Sequence, residues 1–322
     1  MPDPNRGQRV ASNWEAVVGS KPEDQIFEDY WLLNRLSKGQ GFVGKSGGDF
    51  IAVPFEYALN GSVSSYSDDD PISTTRYDVF DRYEIQWKEY AGTVILSDLE
   101  ADRNAGEGMV FNLLPAKLEN LKNSFRSTIN TDMYLAGTVN SSKTLTGLAT
   151  LVSAAPTSGT VQGVDRASFT FARNQQTTGT QTTSAFDNLR AAMRSNYNLC
   201  SNGIAGDHPT FGVTTRTVFE GFEGLLLANE RFDSKADGDG GFKNEVLKFK
   251  GALLSYDNDC NSGILYWLHE KYLKLYYKTG AWMKAQAAIR PANQTVDVIL
   301  IRSMANLVAL QPRRLGCVTV IT

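Results

Sequence analysis

The stretch Phe50-Ile51-Ala52-Val53-Pro54-Phe55-Glu56-Tyr57, answered further on by Tyr77-Asp78-Val79-Phe80-Asp81-Arg82-Tyr83-Glu84-Ile85-Gln86-Trp87, decides the fold. Ile51, Val53, Phe55 and Tyr57 alternate with other residues, and Tyr77, Val79, Tyr83, Ile85 and Trp87 alternate again, which is the two-residue period of a strand. Between them, residues from Asn60 to Thr75 are polar and include Ser64-Ser65-Tyr66-Ser67-Asp68-Asp69-Asp70-Pro71. The pattern is strand, loop, strand. A two-stranded ribbon is marginal by itself in water, so its apolar face needs cover from a third element or another molecule. The loop is too polar to supply that cover. The expectation is an arm that one domain cannot bury and that reaches onto a neighbouring subunit.

Upstream, residues before about Gly19 are polar and suggest a flexible arm. Ile26, Phe27, Tyr30, Trp31, Leu33 and Leu36 then share a broad helical face that ends at Gly39 and Gly41. Downstream, Ser97-Asp98-Leu99-Glu100 matches a capping box. Leu114, Leu118, Leu121, Phe125, Ile129 and Met133 predict a long amphipathic helix ending near Ala136-Gly137, with Pro115 opening or kinking its first turn. Its opposite face carries Lys117, Glu119, Lys122 and Arg126.

From Thr138 to Thr183 the clusters Leu148-Ala149-Thr150-Leu151-Val152 and Ala167-Ser168-Phe169-Thr170-Phe171 suggest short strands and loops. Further helices are expected over Ala185–Tyr197 and Val218–Ala228, and a strand over Phe211–Thr215. Periodicity leaves Ile264–Tyr277 open between helix and strand. Val296–Leu310 and Val318–Ile321 are β-rich.

The chain has 322 residues, 42% of them hydrophobic, and a formal charge of -3. It can bury a sizeable core, and the charge gives no global pull towards nucleic acid, so sequence-specific DNA binding is not expected. Three cysteines at wide spacing, Cys200, Cys260 and Cys317, suit a reducing compartment and read as small buried hydrophobes. No apolar run is long enough for a bilayer, and the first residues lack a signal peptide's apolar region. The expectation is a soluble protein made in the cytoplasm, with no membrane partner.

Motifs that carry chemistry fail on context. Gly39-Gln40-Gly41-Phe42-Val43-Gly44-Lys45-Ser46 satisfies the phosphate-binding loop pattern, yet a helical patch precedes it and a strand follows, the inverse of what cradles phosphate. It reads instead as a glycine-rich hinge. Gly44-Lys45-Ser46-Gly47-Gly48 fails as a nucleophile elbow for the same reason. His208 and His269 are the only histidines and read as surface or structural. Asp257-Asn258-Asp259-Cys260-Asn261 and Asp237-Gly238-Asp239 look like calcium loops but lack the sharp-turn glycine or the closing glutamate, and read as Asx turns. No catalytic residue, cofactor or metal ligand is assigned.

The order of features resembles the major capsid proteins of tailed bacteriophages, whose coat fold is shared with encapsulin shells. Gly47-Gly48-Asp49-Phe50-Ile51-Ala52-Val53-Pro54 resembles the approach to that family's extended loop, and Val94-Ile95-Leu96-Ser97-Asp98 its exit. Leu247 to Asp257 resembles the return from the axial to the peripheral domain. Ile264-Leu265-Tyr266-Trp267-Leu268 resembles the strand after it, which tips that region towards β.

The resemblance implies an α+β fold with four parts. These are an N-terminal arm and helix over 1–46, an extended loop over 47–96, a spine-helix peripheral domain over 97–145 and 258–310, and a mixed α/β axial domain over 146–257 and 311–322. It implies a non-catalytic shell protein, assembled in the host cytoplasm as pentamers and hexamers of an icosahedral virion capsid. Its partners would be a separate scaffolding protein, a portal protein, double-stranded DNA held without sequence specificity, and in some members a decoration protein. No lysine–asparagine cross-link is assigned. The residues expected at the subunit interface are Ile51, Val53, Phe55, Tyr57, Asp68, Asp69, Asp70, Val79, Tyr83, Ile85 and Trp87. An encapsulin-type compartment is the second reading, and a nucleotide-binding enzyme the third.

Overall fold

The computed structural model describes residues 30–103, 113–180, 187–203, 206–227, 247–292 and 294–321. The N-terminal arm, Ile26 and Phe27 of the first helical patch, and the Asp237–Gly241 loop lie outside the described residues.

Helix α1 (Trp31–Lys38) buries Leu32, Leu33 and Leu36, the positions that its spacing puts on one face. After Gly39 the chain enters β1 (Phe42–Lys45), then the hairpin of β2 (Phe50–Glu56) and β3 (Phe80–Gln86). Strand β4 (Lys88–Ser97) follows at once, then the short helix α2 (Asp98–Arg103). The Ser97 N–H donates to Glu100 Oε2 at 3.4 Å, which is the glutamate half of the expected capping box. The spine is α3 (Leu113–Tyr134), 22 residues and therefore about 33 Å long. Phe125, Ile129 and Met133 are buried, whereas Glu119, Lys122 and Arg126 are exposed. Pro115 stands in the first turn, where its missing N–H costs nothing. Gly137, at φ 71°, turns the chain away in a left-handed conformation. Gly147 then packs against the helix end, where a Cβ would lie 2.2 Å from the Leu135 carbonyl.

Two sheets organise the rest. In the first, β1 runs parallel to β12 (Leu273–Lys278), β12 is antiparallel to the end of β14 (Val296–Ala309), and the short β13 (Lys284–Ala285) adds beside β14. β4 lines the other edge of β14 in ten consecutive pairs from Val296↔Ser97 to Ala305↔Lys88, and α3 covers the inner face of β4. The second sheet has the order β7-β15-β11-β8-β10-β9. It comprises β7 (Gln175–Thr180), β15 (Gly316–Ile321), β11 (Ile264–Leu268), β8 (Phe211–Thr214), β10 (Ala252–Tyr256) and β9 (Leu247–Phe249).

Two further helices, α5 (Asp187–Cys200) and α6 (Arg216–Leu227), pack on that sheet through Leu189, Met193, Tyr197, Val218, Phe219 and Phe222, around Trp267. Between α3 and β7 lie a helical turn α4 (Leu148–Leu151) and the small hairpin of β5 (Thr160–Val161) and β6 (Val164–Asp165). One cluster holding Leu36, Met133, Phe211, Tyr266, Leu307 and Cys317 joins both sheets.

Several expectations change. Leu148–Val152 is not a strand. Its helical turn is held by Arg166, a buried guanidinium that donates to the Thr150 and Leu151 carbonyls at 2.8 and 2.9 Å. Ile264–Tyr277 resolves into β11 and β12. β11, grouped with the peripheral residues in the sequence, is an inner strand of the six-stranded sheet, between β15 and β8. β4, grouped with the extended loop, and β1, grouped with the arm and read as a hinge, are both strands of the five-stranded sheet. Alternation marks a strand but does not name its partner, and the partners of β4 and β1 lie some two hundred residues downstream.

Asp257–Asn261 is an Asx turn, with the Asp259 N–H donating to Asp257 Oδ1 at 3.0 Å. All three cysteines are buried and unpaired with one another. Among the described residues no group of three or more metal-type side chains forms, and no helix is long and apolar enough to cross a membrane.

Candidate assembly surface

The β2–β3 hairpin pairs in register from Phe50↔Gln86 to Glu56↔Phe80. Its root is held by three hydrogen bonds, two of them from the five-stranded sheet. The Lys45 ammonium donates to the Ala52 carbonyl at 2.9 Å and stands 5.1 Å from the Tyr276 ring centre. The Trp87 indole N–H donates to the Gly48 carbonyl at 3.0 Å, and Asn306 Nδ2 donates to the Gln86 carbonyl at 2.8 Å. Lys45 is therefore a strand residue holding a strand, in a segment that opens no helix.

Ile51, Val53, Tyr83 and Ile85 are buried, and what buries them is the same chain: Tyr276 of β12 and Val308 of β14, with Val43, Phe171 and Leu310 at the margin. The expectation that this face lacks cover inside one subunit is thus corrected for these four residues. Burial drives the Tyr83 phenol up to about 12. Further out, Phe55 stacks on Tyr83 with ring centres 4.2 Å apart and meets Phe171 at 5.2 Å. Phe171 also lies 6.3 Å from Tyr57, so the segment after β6 supports the middle of the ribbon. Phe55, Tyr57, Val79 and Trp87 are half-buried.

The distal part is another matter. Tyr57 closes it, its N–H donating to the Val79 carbonyl at 3.1 Å and its hydroxyl to the Asp78 carbonyl at 2.8 Å. Beyond that pair Asp68, Asp69 and Asp70 are exposed, and the Asp70 carboxylate accepts the Ser67 N–H at 3.1 Å to shape the acidic turn. The same segment leaves Leu59 at 87%, Val63 at 86% and Ile72 at 74% exposure, with Tyr66, Tyr77 and Phe80 also exposed. Except for Tyr77, none of these apolar residues stood out in the sequence, because each is isolated among polar neighbours. The available signal was their number within one short loop, since contiguous exposed apolar surface marks interaction sites.

A second, partly exposed apolar face lies on the five-stranded sheet. Val298, Leu300 and Met304 of β14 pair with Ile95, Thr93 and Glu89 of β4, and directly opposed residues share a face. Ile95 and Ile289, which bridges to Val298, are exposed there. Lys284, Arg290 and Arg302 stand at its margin. Arg302 pairs with Glu89, and Arg290 with Asp98 at 2.6 Å and Asp297 at 3.0 Å.

The two histidines lie elsewhere. His208 is parallel to the Tyr197 ring at 6.0 Å, and His269 Nδ1 accepts the Lys271 N–H at 3.1 Å.

No family model matches the chain, and no curated protein sequence does. Solved structures do. The capsid chain of cyanophage A-1(L) superposes with a TM-score of 0.66 at 13% identity, covering 94% of this chain and 96% of that one. The capsid of Myoviridae phage XM1 gives 0.60 at 13% identity over 94% and 96%. The holo-SrpI encapsulin of Synechococcus elongatus PCC 7942 gives 0.59 at 11% identity over 96% and 94%. Likeness at such low identity is likeness of fold, and it runs the length of the chain: this protein has the coat fold shared by phage capsids and encapsulins.

Proposed function

We propose that the chain is the major capsid protein of a tailed bacteriophage, assembling as pentamers and hexamers into an icosahedral shell around double-stranded DNA, without catalysis. The observation that carries this reading is the division of the hairpin: its root is fixed in the subunit's own core, while its distal half carries Leu59, Val63 and Ile72 to solvent. A rigidly held arm with an apolar end is suited to a second copy of the chain. The Ile95–Val298 face is the counterpart we assign to it on the neighbour, with Asp68, Asp69 and Asp70 near Lys284, Arg290 and Arg302. Scaffolding and portal proteins, and a decoration protein in some shells, are the further partners that such a particle takes.

Sedimentation and negative-stain microscopy of the protein, produced with and without a scaffolding partner, test the reading. Closed particles of megadalton mass are expected, and a monodisperse monomer under every assembly condition overturns it. The encapsulin match over 96% of the chain supports a second reading, a compartment shell; particles filled with folded protein instead of nucleic acid select it.

A further inference from the structure

A groove of about 760 Å³ runs between α1 and the middle of α3, within the size range of binding clefts. Its floor is apolar: Tyr30, Leu33, Phe42, Trp282 and Met283, with the Phe42 and Trp282 rings edge-on at 5.6 Å. Its α3 wall asks little of an occupant. The Ser124 and Thr128 hydroxyls already donate to the Asn120 and Ser124 carbonyls at 3.0 and 2.9 Å. Among the described residues of the lining Arg126 is the one that carries a charge, with no carboxylate beside it. The groove thus suits an apolar stripe with an acidic neighbour.

The N-terminal stretch, polar as a whole, carries one such stripe. Val10, Trp14, Val17 and Val18 recur at intervals of four, three and one, with Glu15 beside Trp14. The described chain begins at Tyr30, itself in the groove lining. Eleven residues separate Val18 from Tyr30, and at about 3.3–3.6 Å per extended residue they reach back to any point of the groove. We infer that residues 10–18 of the same chain occupy this groove, with Trp14 as the apolar anchor over Trp282 and Phe42 and Glu15 facing Arg126. The stripe would then bridge α1 and α3 and fix how the first helix lies on the spine.

The full chain as an unassembled subunit is the material for the test. Under mild oxidation the pair Val17→Cys with Ser127→Cys should give a fast-migrating, reductant-sensitive monomer, and the control pair Val17→Cys with Leu199→Cys should not. In unmodified protein, removing residues 1–20 or replacing Trp14 with Ser should speed amide exchange over residues 120–128 about tenfold, with remote strands such as β11 unchanged. Equal cross-linking of both pairs, disulfide-linked dimers alone, or unchanged exchange in both variants overturns the assignment. Protection of the groove seen only after assembly also overturns it, because the occupant is then another copy.

Discussion

The Tyr134 hydroxyl donates a 2.9 Å hydrogen bond to Asp257 Oδ2, tying the last turn of α3 to the end of β10 across 123 residues of sequence. Asn130 donates to the same carboxylate at 3.3 Å and to Asp259 Oδ2 at 2.8 Å, and the Leu32 N–H of α1 approaches it at 3.5 Å. Three elements therefore converge on one buried carboxylate. Burial raises the Asp257 carboxyl above the ordinary range, against the pull of these donors.

The pH dependence follows in sign. A carboxyl with a raised folded pKa keeps its proton in the folded state while the unfolded chain loses its own near ~3.9. Stability from this group falls as pH rises from there to the raised folded value, and is flat on either side. In Asp257→Asn that slope disappears. Chemical unfolding from acid to neutral pH should show the wild-type advantage over the variant shrinking with rising pH; an advantage that grows contradicts the assignment. Tyr134→Phe leaves a buried carboxylate one donor short and should cost about 1–3 kcal/mol near neutrality.

The two halves of the hairpin should respond oppositely to truncation. Ile51→Ala or Ile85→Ala opens a cavity in the subunit's own core and should cost about 2–5 kcal/mol of monomer stability. Leu59→Ser with Val63→Ser touches nothing within the chain and should leave monomer stability within about 0.5 kcal/mol, while particle yield drops sharply. Thermal denaturation of free subunits, set beside sedimentation of assembled material, separates the two.

Lys45→Ala removes the donor to the Ala52 carbonyl and the charge over Tyr276. The hairpin root should loosen by about 0.5–1.5 kcal/mol, read as faster amide exchange in β2. Magnesium-dependent ATP binding that disappears in the variant is the result that would restore the phosphate-loop reading.

Burial pushes the Cys317 thiol up to about 12 and those of Cys200 and Cys260 higher still. Thiolates are the reactive form, so the native protein at pH 8 should resist alkylation on the timescale on which unfolded protein reacts completely. Mass spectrometry of partial reactions should find unmodified and fully modified chains with few intermediates.

If the acidic turn steers docking, assembly at low salt should slow when Asp68, Asp69 and Asp70 become Asn, and the difference should fade as the Debye length contracts to about 8 Å near physiological ionic strength. Replacing Lys284 with Gln should reproduce the effect. Light scattering of the assembly reaction gives both rates. Salt-independent behaviour of all the variants removes electrostatics from the interface.

The elements most legible in the sequence are those whose partners do not matter to their pattern: the spine through Phe125, Ile129 and Met133, and the paired runs at Ile51 and Ile85. What stayed hidden depends on distant chain. The cover over Ile51 and Tyr83 comes from Tyr276 and Val308, about two hundred residues on. The strand at Phe42–Lys45 shows only beside β12, and the Asp257 hub needs Leu32, Asn130 and Tyr134 brought together. The polar run from Asn60 to Thr75 concealed Val63 and Ile72 for a different reason. An apolar residue without periodicity has no face to declare, and only its exposure in three dimensions makes it conspicuous.

Strand β15 pairs with β7 on one side and β11 on the other, and β14 holds β4 and β12 in the same way. During synthesis, therefore, both sheets stand with a missing inner strand until residues 296–321 have emerged. The hairpin root waits too, since Val308 and Asn306 complete it. The arm is therefore anchored and aimed only once β14 has been made, so a chain that stops short of Val308 carries a hairpin with no seat.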